Sequence, residues 1–245
     1  MVTVNGPEAT SPTRARDRVR AALVAEIMHT AREHLARDAG SGLSLRAVAR
    51  DVGMVSSAIY RYFPSRDDLL TALILDAYAA MSNAVETAEQ MVRRVDYLGR
   101  WMAATTAIRQ WALDHPHEYS LIFGSPIPNY QAPQDTIVQA ARVPLVLVQI
   151  LRDALAAGRI RLDAHQQKTA GPSLDHVIDL YPGVPLAMLR RGVAAWSAVF
   201  GLVSFELFGH FTKVVDDPAD FFRFETERLA IEVVGLTRKR TQPQR

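Results

Sequence analysis

LSLRAVARDVGMVSSAIYRYFPSRDDLL, residues 43–70, contains two short helical segments on either side of one glycine. Ser44 is placed as an N-cap, where a hydroxyl accepts from a free backbone N–H of the first turn. A helix over residues 45–52 follows. Gly53 supplies the left-handed turn that a β-branched residue adopts only at a cost. A second short helix is predicted from there to Phe63, where Pro64 stops it. Ser65, with Asp68 three residues on, has the form of a capping box for the next helix. Val48, Val52, Met54, Ile59 and Tyr62 are the apolar positions, and Ala49 and Gly53 are the small residues where two helices cross. Small residues at the crossing, a residue able to leave helical geometry and apolar positions that lock the second helix are what a helix-turn-helix requires. A hairpin buried in a core has no need of Ser56, Ser57, Tyr60 and Arg61 on its free face.

The second segment fits the DNA major groove, which admits one helix and presents a distinct donor and acceptor pattern for each base pair. Ser56, Ser57 and Ala58 are small and permit close approach to the bases. Arg61 is the long donor able to make a bidentate contact to guanine. Ser44, Arg46, Tyr60, Tyr62 and Arg66 suit phosphate, which positions a protein without reading sequence. Tyr62 suits the core equally well.

Upstream, residues 1–13 mix Gly, Pro, Ser and Thr with no apolar period, and Arg14, Arg16, Arg18 and Arg20 lead into a helix as a basic arm. Val19, Leu23, Ile27, Ala31 and Leu35 recur every four residues and form one apolar stripe, until Gly40 and Gly42 end it. Residues 14–66 hold ten Lys or Arg against five Asp or Glu, so a net charge of +2 for the chain is +5 there and −3 elsewhere. Attraction to phosphate follows local charge, so the first quarter of the chain is the candidate nucleic-acid surface.

With 49% hydrophobic and 22% charged residues, the 245-residue chain has the profile of a folded protein, with disorder expected only at its ends. It has no cysteine, which excludes disulfides, thiolate zinc sites and cysteine nucleophiles and agrees with a reducing compartment. The first residues lack a secretion-signal layout, and a cytoplasmic location is expected. No cofactor and no metal are expected. His115 and His117 with Asp114 and Glu118, or His165 and His176, are the available acid-base or metal groups. His-Pro-His lies at a helix boundary where polar residues are ordinary, and no HExxH helix, glycine-rich phosphate loop or GxSxG elbow occurs. The chain reads as a binding protein, not an enzyme.

Beyond Leu69 the pattern is helical over residues 69–92, 96–114 and 117–123, interrupted by the turn-forming GSPIPNYQAP of residues 124–133. Further helices are expected at 136–157, stopped by Gly158, and at 185–211 and 219–237, with an irregular stretch at 161–183 and a basic tail, RKRTQPQR, at the end. The fold class is therefore all-α. Residues 14–66 form a three-helix DNA-binding domain, 67–237 a larger helical domain, and 238–245 the tail. The apolar run at 193–205 is too short for a bilayer, which needs about 20 residues, so no membrane association is expected. As a helix the run places Trp196, Phe200, Val203 and Leu207 on one face and Ala198, Leu202 and Phe205 on another, so one core cannot cover it and a second partner must. Phe222, Leu229, Val233 and Leu236 make a similar stripe in the last helix.

These residues resemble the tetracycline-repressor (TetR) family of bacterial regulators. The match rests on the 43–70 segment, with its alanine, glycine, Tyr60-Arg61-Tyr62-Phe63 run, Ser65-Arg66 pair and following leucines. Arg66 stands where lysine is more usual and keeps the cation. HPHEYSLIFGSPIPNYQAP and WSAVFGLVSFELFGHF resemble a C-terminal domain of actinobacterial members, whose signature often has histidine before glycine where this chain has Phe200 before Gly201. The resemblance implies a homodimer on a pseudo-palindromic double-stranded operator, with Trp196, Phe200, Val203, Leu207, Phe222, Leu229 and Val233 in a four-helix interface. It also implies a small-molecule effector in the larger domain. Trp101, Met102, Trp111, Tyr119, Phe123 and Tyr130 lie in the right segments, suit an apolar molecule and equally suit the core. The expected function is repression released by that molecule, with activation, or ligand binding without specific DNA recognition, as the alternatives.

Overall fold

The structure is a computed structural model that describes residues 12–38, 43–160, 173–174, 178, 181 and 183–237. The N-terminal segment up to residue 11, the glycines expected to end the first helix, most of the irregular stretch with His165 and His176, and the basic tail lie outside the described residues. Among the described residues the chain is helical and contains no strand, only an isolated bridge between Ile160 and Leu236. The helices are α1 (Pro12–Asp38), α2 (Leu45–Asp51), α3 (Arg66–Gln90), α4 (Tyr97–Asp114), α5 (Pro116–Phe123), α6 (Asp135–Ala140), α7 (Arg142–Ala156), α8 (Leu186–Leu207) and α9 (Pro218–Arg228). The chain divides into two compact units, residues 1–75 with 120–132, and residues 76–119 with 133–245.

In the first unit, Ile27, Ala31 and Leu35 of α1 meet Leu45, Val48 and Ala49 of α2, Ile59 and Phe63, and Leu69, Leu70 and Leu73 of α3. Val19 departs from the expected stripe and is 68% exposed, because α1 begins at Pro12 and its first turns run past the core it serves.

In the second unit, α4, α7 and α8 pack together around Trp101, Ile108, Ile150, Leu151 and Val199. The single helix expected at 136–157 is two, α6 and α7, separated at Ala141. Pro144 explains the break, since a helix interior cannot take a residue with no N–H and a ring against the preceding turn. In the first turn of α7 it is tolerated.

α8 stops at Leu207, short of the expected Phe211. Gly209, at φ +79°, lets its N–H bond Glu206 O at 3.2 Å while His210 N–H bonds Phe205 O at 2.8 Å, and the two bonds close the helix. The last helix also differs, since α9 gives way to a π-helical turn at Leu229–Val234, ended by Gly235 at φ +90°. A π turn is wider than an α turn, so the inward position moves from Val233, which is half-buried, to Val234, which is buried.

Candidate nucleic-acid interface

The expected reading unit is present, with one change of geometry. Ser44 caps α2 by accepting from Ala47 N–H at 3.5 Å. At the other end Met54 N–H bonds Ala49 O at 2.8 Å and Gly53 N–H bonds Arg50 O at 3.0 Å, with Gly53 at φ +76°. This Schellman ending needs a residue without a Cβ penalty, which is why glycine stands there. The second segment is not a full α-helix: residues 56–58 form turns and Ile59–Arg61 a 3₁₀ turn. Val55 loses side-chain freedom in a helix, Ser56 and Ser57 favour other local backbone bonds, and Pro64 draws Phe63 out of helical geometry, so the segment is left with one tight turn. Buried Ile59 anchors it from beneath. Ser65 and Asp68 form the expected cap of α3, with Asp68 N–H donating to Ser65 Oγ at 3.1 Å and Ser65 O–H to Asp68 Oδ2 at 2.7 Å.

The solvent face carries the residues assigned to DNA. Ser44, Arg46, Ser56, Ser57, Tyr60 and Arg61 are exposed, and Ala58 is half-buried. Arg46 and Arg61 make no hydrogen bond or ion pair among the described residues, so their donors remain available. Arg66 is held back in part, donating from Nε to Leu43 O at 3.2 Å and lying 3.6 Å from Asp67. Tyr62 is half-buried against the core and takes the guanidinium of Arg20 over its ring at 5.2 Å.

Beneath this face lies a tie that sequence reading missed. His34 of α1, almost wholly buried, meets Asp51 at the end of α2 with 2.8 Å between Nε2 and Oδ2. Arg50 Nε donates to the other oxygen at 3.3 Å. The His34 hydrogen bond is the chief cause holding the Asp51 carboxyl below its ordinary range, with partial burial opposing it and Arg50 adding to it. A carboxyl so depressed stabilises the fold above its unfolded pKa and loses that contribution as pH falls through the folded one. The stability gap between the native chain and Asp51→Asn is therefore expected to close as pH falls below about 4, in thermal melts taken on both sides of that pH.

Residues 27–73 match the family of bacterial regulatory proteins of the tetR type, and residues 101–229 match its tetracyclin repressor-like C-terminal domain. The HTH-type transcriptional regulator Mb1846 of Mycobacterium bovis is 34% identical over 216 residues, which cover 86% of this chain and 92% of that one. The chain belongs to the tetR family. It is a helix-turn-helix transcriptional regulator, as its relatives are. The crystal structure of the regulatory protein SCO4313 is 36% identical to this tetR-family chain, covers 87% of it and 98% of itself, and has a TM-score of 0.70. RolR, solved in complex with resorcinol, shares the fold at 16% identity and a TM-score of 0.50, over 94% of this chain and 99% of its own.

The residues assigned to an effector do not form one set. Phe123 and Tyr130 fall in the first unit, where Tyr130 packs against the helix-turn-helix core and its hydroxyl meets Thr71 Oγ1 at 2.9 Å. Trp101 is wholly buried and donates to Thr226 O at 3.0 Å, tying α4 to α9, and half-buried Met102 lies against the same threonine. Tyr119 is buried too. Its hydroxyl donates to Phe200 O at 3.2 Å and lies 2.8 Å from Ser204 Oγ, and burial pushes its pKa up. Trp111 differs, because its indole N–H is buried with no partner among the described residues while its ring stacks on His115 at 5.0 Å.

The residues expected at the dimer face divide by burial. Phe200, Val203, Phe222 and Leu229 are buried in the protomer's own core, and Trp196, Leu207 and Val233 are half-buried. Between Gly192 and Phe205 α8 carries no charged residue on any side, so its period identifies stripes but cannot say which one faces inward. The exposed aromatic residues within α8 and α9 are Phe205 at 53% and Phe224 at 59%, with Phe208 at 45% just past the end of α8. α8 is also, at 22 residues, long and apolar enough to cross a membrane by length and composition, which the shorter run in the sequence had concealed. In this fold it is packed as a core helix through Met188, Leu189, Ala195 and Val199, and its Glu206 is bound twice by Arg109, at 2.7 and 2.5 Å.

Proposed function

We propose that the chain is a cytoplasmic, effector-released repressor, not an enzyme, that binds a pseudo-palindromic operator as a homodimer. Its reading head is the helix-turn-helix within residues 14–66, and effector binding and dimerisation fall to the larger helical part within residues 67–237, apart from the segments 67–75 and 120–132 that pack with the first unit. The observation that supports this best is the pairing of a rigid underside with a free outer face. His34, Asp51 and Ile59 fix the turn, while Arg46 and Arg61 stand exposed without partners among the described residues. Two such heads on a two-fold axis require half-sites separated by whole helical turns. Selection of bound sequences from a random duplex library, at salt high enough to suppress non-specific phosphate binding, is expected to return a two-fold-symmetric motif. Folded protein that enriches no sequence would count against the proposal.

An effector releases the operator only if it binds one arrangement of the heads better than the other. The unpartnered Trp111 N–H supports a small, largely apolar effector bearing a hydrogen-bond acceptor, since an indole can only donate. Resorcinol, the molecule bound to RolR, is of that class.

For the dimer, the outer faces of α8 and α9 supply the surface. Phe224 borders a groove of about 370 Å³ lined also by Glu227, Arg228, Ile231 and Glu232. Phe205→Glu combined with Phe224→Glu is expected to raise the dimer dissociation constant on the order of 100-fold, because unpaired carboxylates are costly to bury. Sedimentation equilibrium reads this directly. A dimer of unchanged affinity would place the interface elsewhere.

A further inference from the structure

α1 outruns its core by about two turns, and the residues there follow a pattern. The inward stripe of α1 runs through Ile27 and Ala31, with Leu23 and Val24 packed beside them. At 100° per residue, Arg20 and Arg16 continue that stripe toward the N-terminus. Arg18 points the opposite way, roughly 160–200° around the helix from them. All three are exposed. Where the stripe leaves the core it therefore changes from apolar to cationic, on the side of α1 that packs against the reading unit. The Arg20 guanidinium lies over Tyr62, the residue next to Arg61, at 5.2 Å from the ring centroid.

We propose that Arg16 and Arg20 form a second phosphate-contacting site, outside the helix-turn-helix and continuous with its reading face. Tyr62 holds Arg20 through the cation–π attraction, which leaves the N–H donors of the guanidinium free for another acceptor. Held in this way, the side chain loses less freedom on binding than a free arginine would. The partner is the backbone of duplex DNA, because a planar fork of donors fits phosphate oxygens and needs no base identity. Tyr62 is then a positioning residue for Arg20.

The inference rests on DNA binding by this face, and its test keeps the two apart. Each phosphate contact contributes about 0.9 to the slope of log affinity against log salt. The slope is to be measured on random-sequence duplex for the native protein, Arg20→Ala, Arg16→Ala and Arg18→Ala. All three substitutions remove one positive charge. The slope is expected to fall by about 0.9 per head for Arg20→Ala and for Arg16→Ala, to stay near native for Arg18→Ala, and to be restored by Arg20→Lys. Equal falls for Arg18 and Arg20 would show a diffuse charge effect and overturn the site. A loss of affinity at every salt concentration with the slope unchanged would overturn it too, by reducing Arg20 to a support for Tyr62. Native protein that binds no duplex would defeat the DNA reading as well, whereas native binding with unaltered variant slopes defeats this inference alone.

Discussion

Replacing Arg100 by methionine is expected to destabilise the protein by about 3–5 kcal/mol, the cost of leaving a buried charge without its partner. Arg100 is 1% exposed in the middle of the second unit, and Glu89, at 6%, is its chief partner. Its Nε lies 2.5 Å from Glu89 Oε1, its Nη2 2.9 Å from Asp153 Oδ2, and its Nη1 donates to Arg94 O at 3.1 Å. One side chain thus joins the end of α3, the loop after it, α4 and α7. Removing it leaves Glu89 in the core with only the half-exposed Arg94, which bonds it at 2.8 and 3.0 Å. Asp153 suffers less, since it is one-third exposed and keeps a bond from Gln149. The double variant Glu89→Leu/Arg100→Met is expected to lie closer to native than Arg100→Met does, because exchanging a whole buried pair for apolar groups costs far less than breaking it. Urea midpoints at one protein concentration, with unchanged slopes, provide the comparison. A double variant no better than the single would mean that the cluster acts as a packing hub and not as a charge pair.

The difference between the two units explains what sequence reading recovered. The helix-turn-helix was legible because its determinants are local. Ser44, Gly53 and the Ser65–Asp68 cap each act within four residues, and each is found at the helix end or turn expected of it. The 3₁₀ form of the reading turn was missed because the weak helix preference of Val55, Ser56 and Ser57 was outweighed, in reading, by the apolar spacing around it. In the second unit the helices were legible but their faces were not. A helix such as α8, uncharged from Gly192 to Phe205, has no single polar side there to identify the outside, and the inward choice of Val203 over Phe205 is made by partners far away in sequence. Glu89, Arg100 and Asp153 were invisible for the same reason, since charged residues 11 and 53 positions apart show no pairing in a linear pattern. His34 and Asp51 are likewise 17 residues apart. Breaks at Pro144 and Gly209 were available from chemistry alone, and a strict reading of proline and glycine would have placed them.

Arg61→Ala and Arg66→Ala are expected to weaken operator binding in different ways. Arg61 is exposed on the 3₁₀ turn with no partner among the described residues, so its substitution removes nothing from the free protein. Any change in binding then reports on the complex. A bidentate contact to guanine is worth on the order of 1–3 kcal/mol in discrimination, so Arg61→Ala should flatten preference at one position in each half-site. Because a base contact displaces no counterion from phosphate, the salt slope should stay near native. Arg66 occupies the other regime. Its Nε is engaged with Leu43 O, close to the N-terminus of α2, so only the remainder of its donors can reach the backbone of DNA. Arg66→Ala should therefore reduce affinity for all sequences alike and lower the salt slope by about one per head. It should also loosen the residue 43 anchor, which Arg66→Lys cannot fully replace, since an ammonium lacks the second donor direction of the guanidinium. Sequence selection and salt titration, run on both variants, separate the two roles. Uniform loss with an unchanged base profile from both would mean that Arg61 reads no base, and that the specificity of this face lies with Ser56, Ser57 and Tyr60 or with the shape of the DNA.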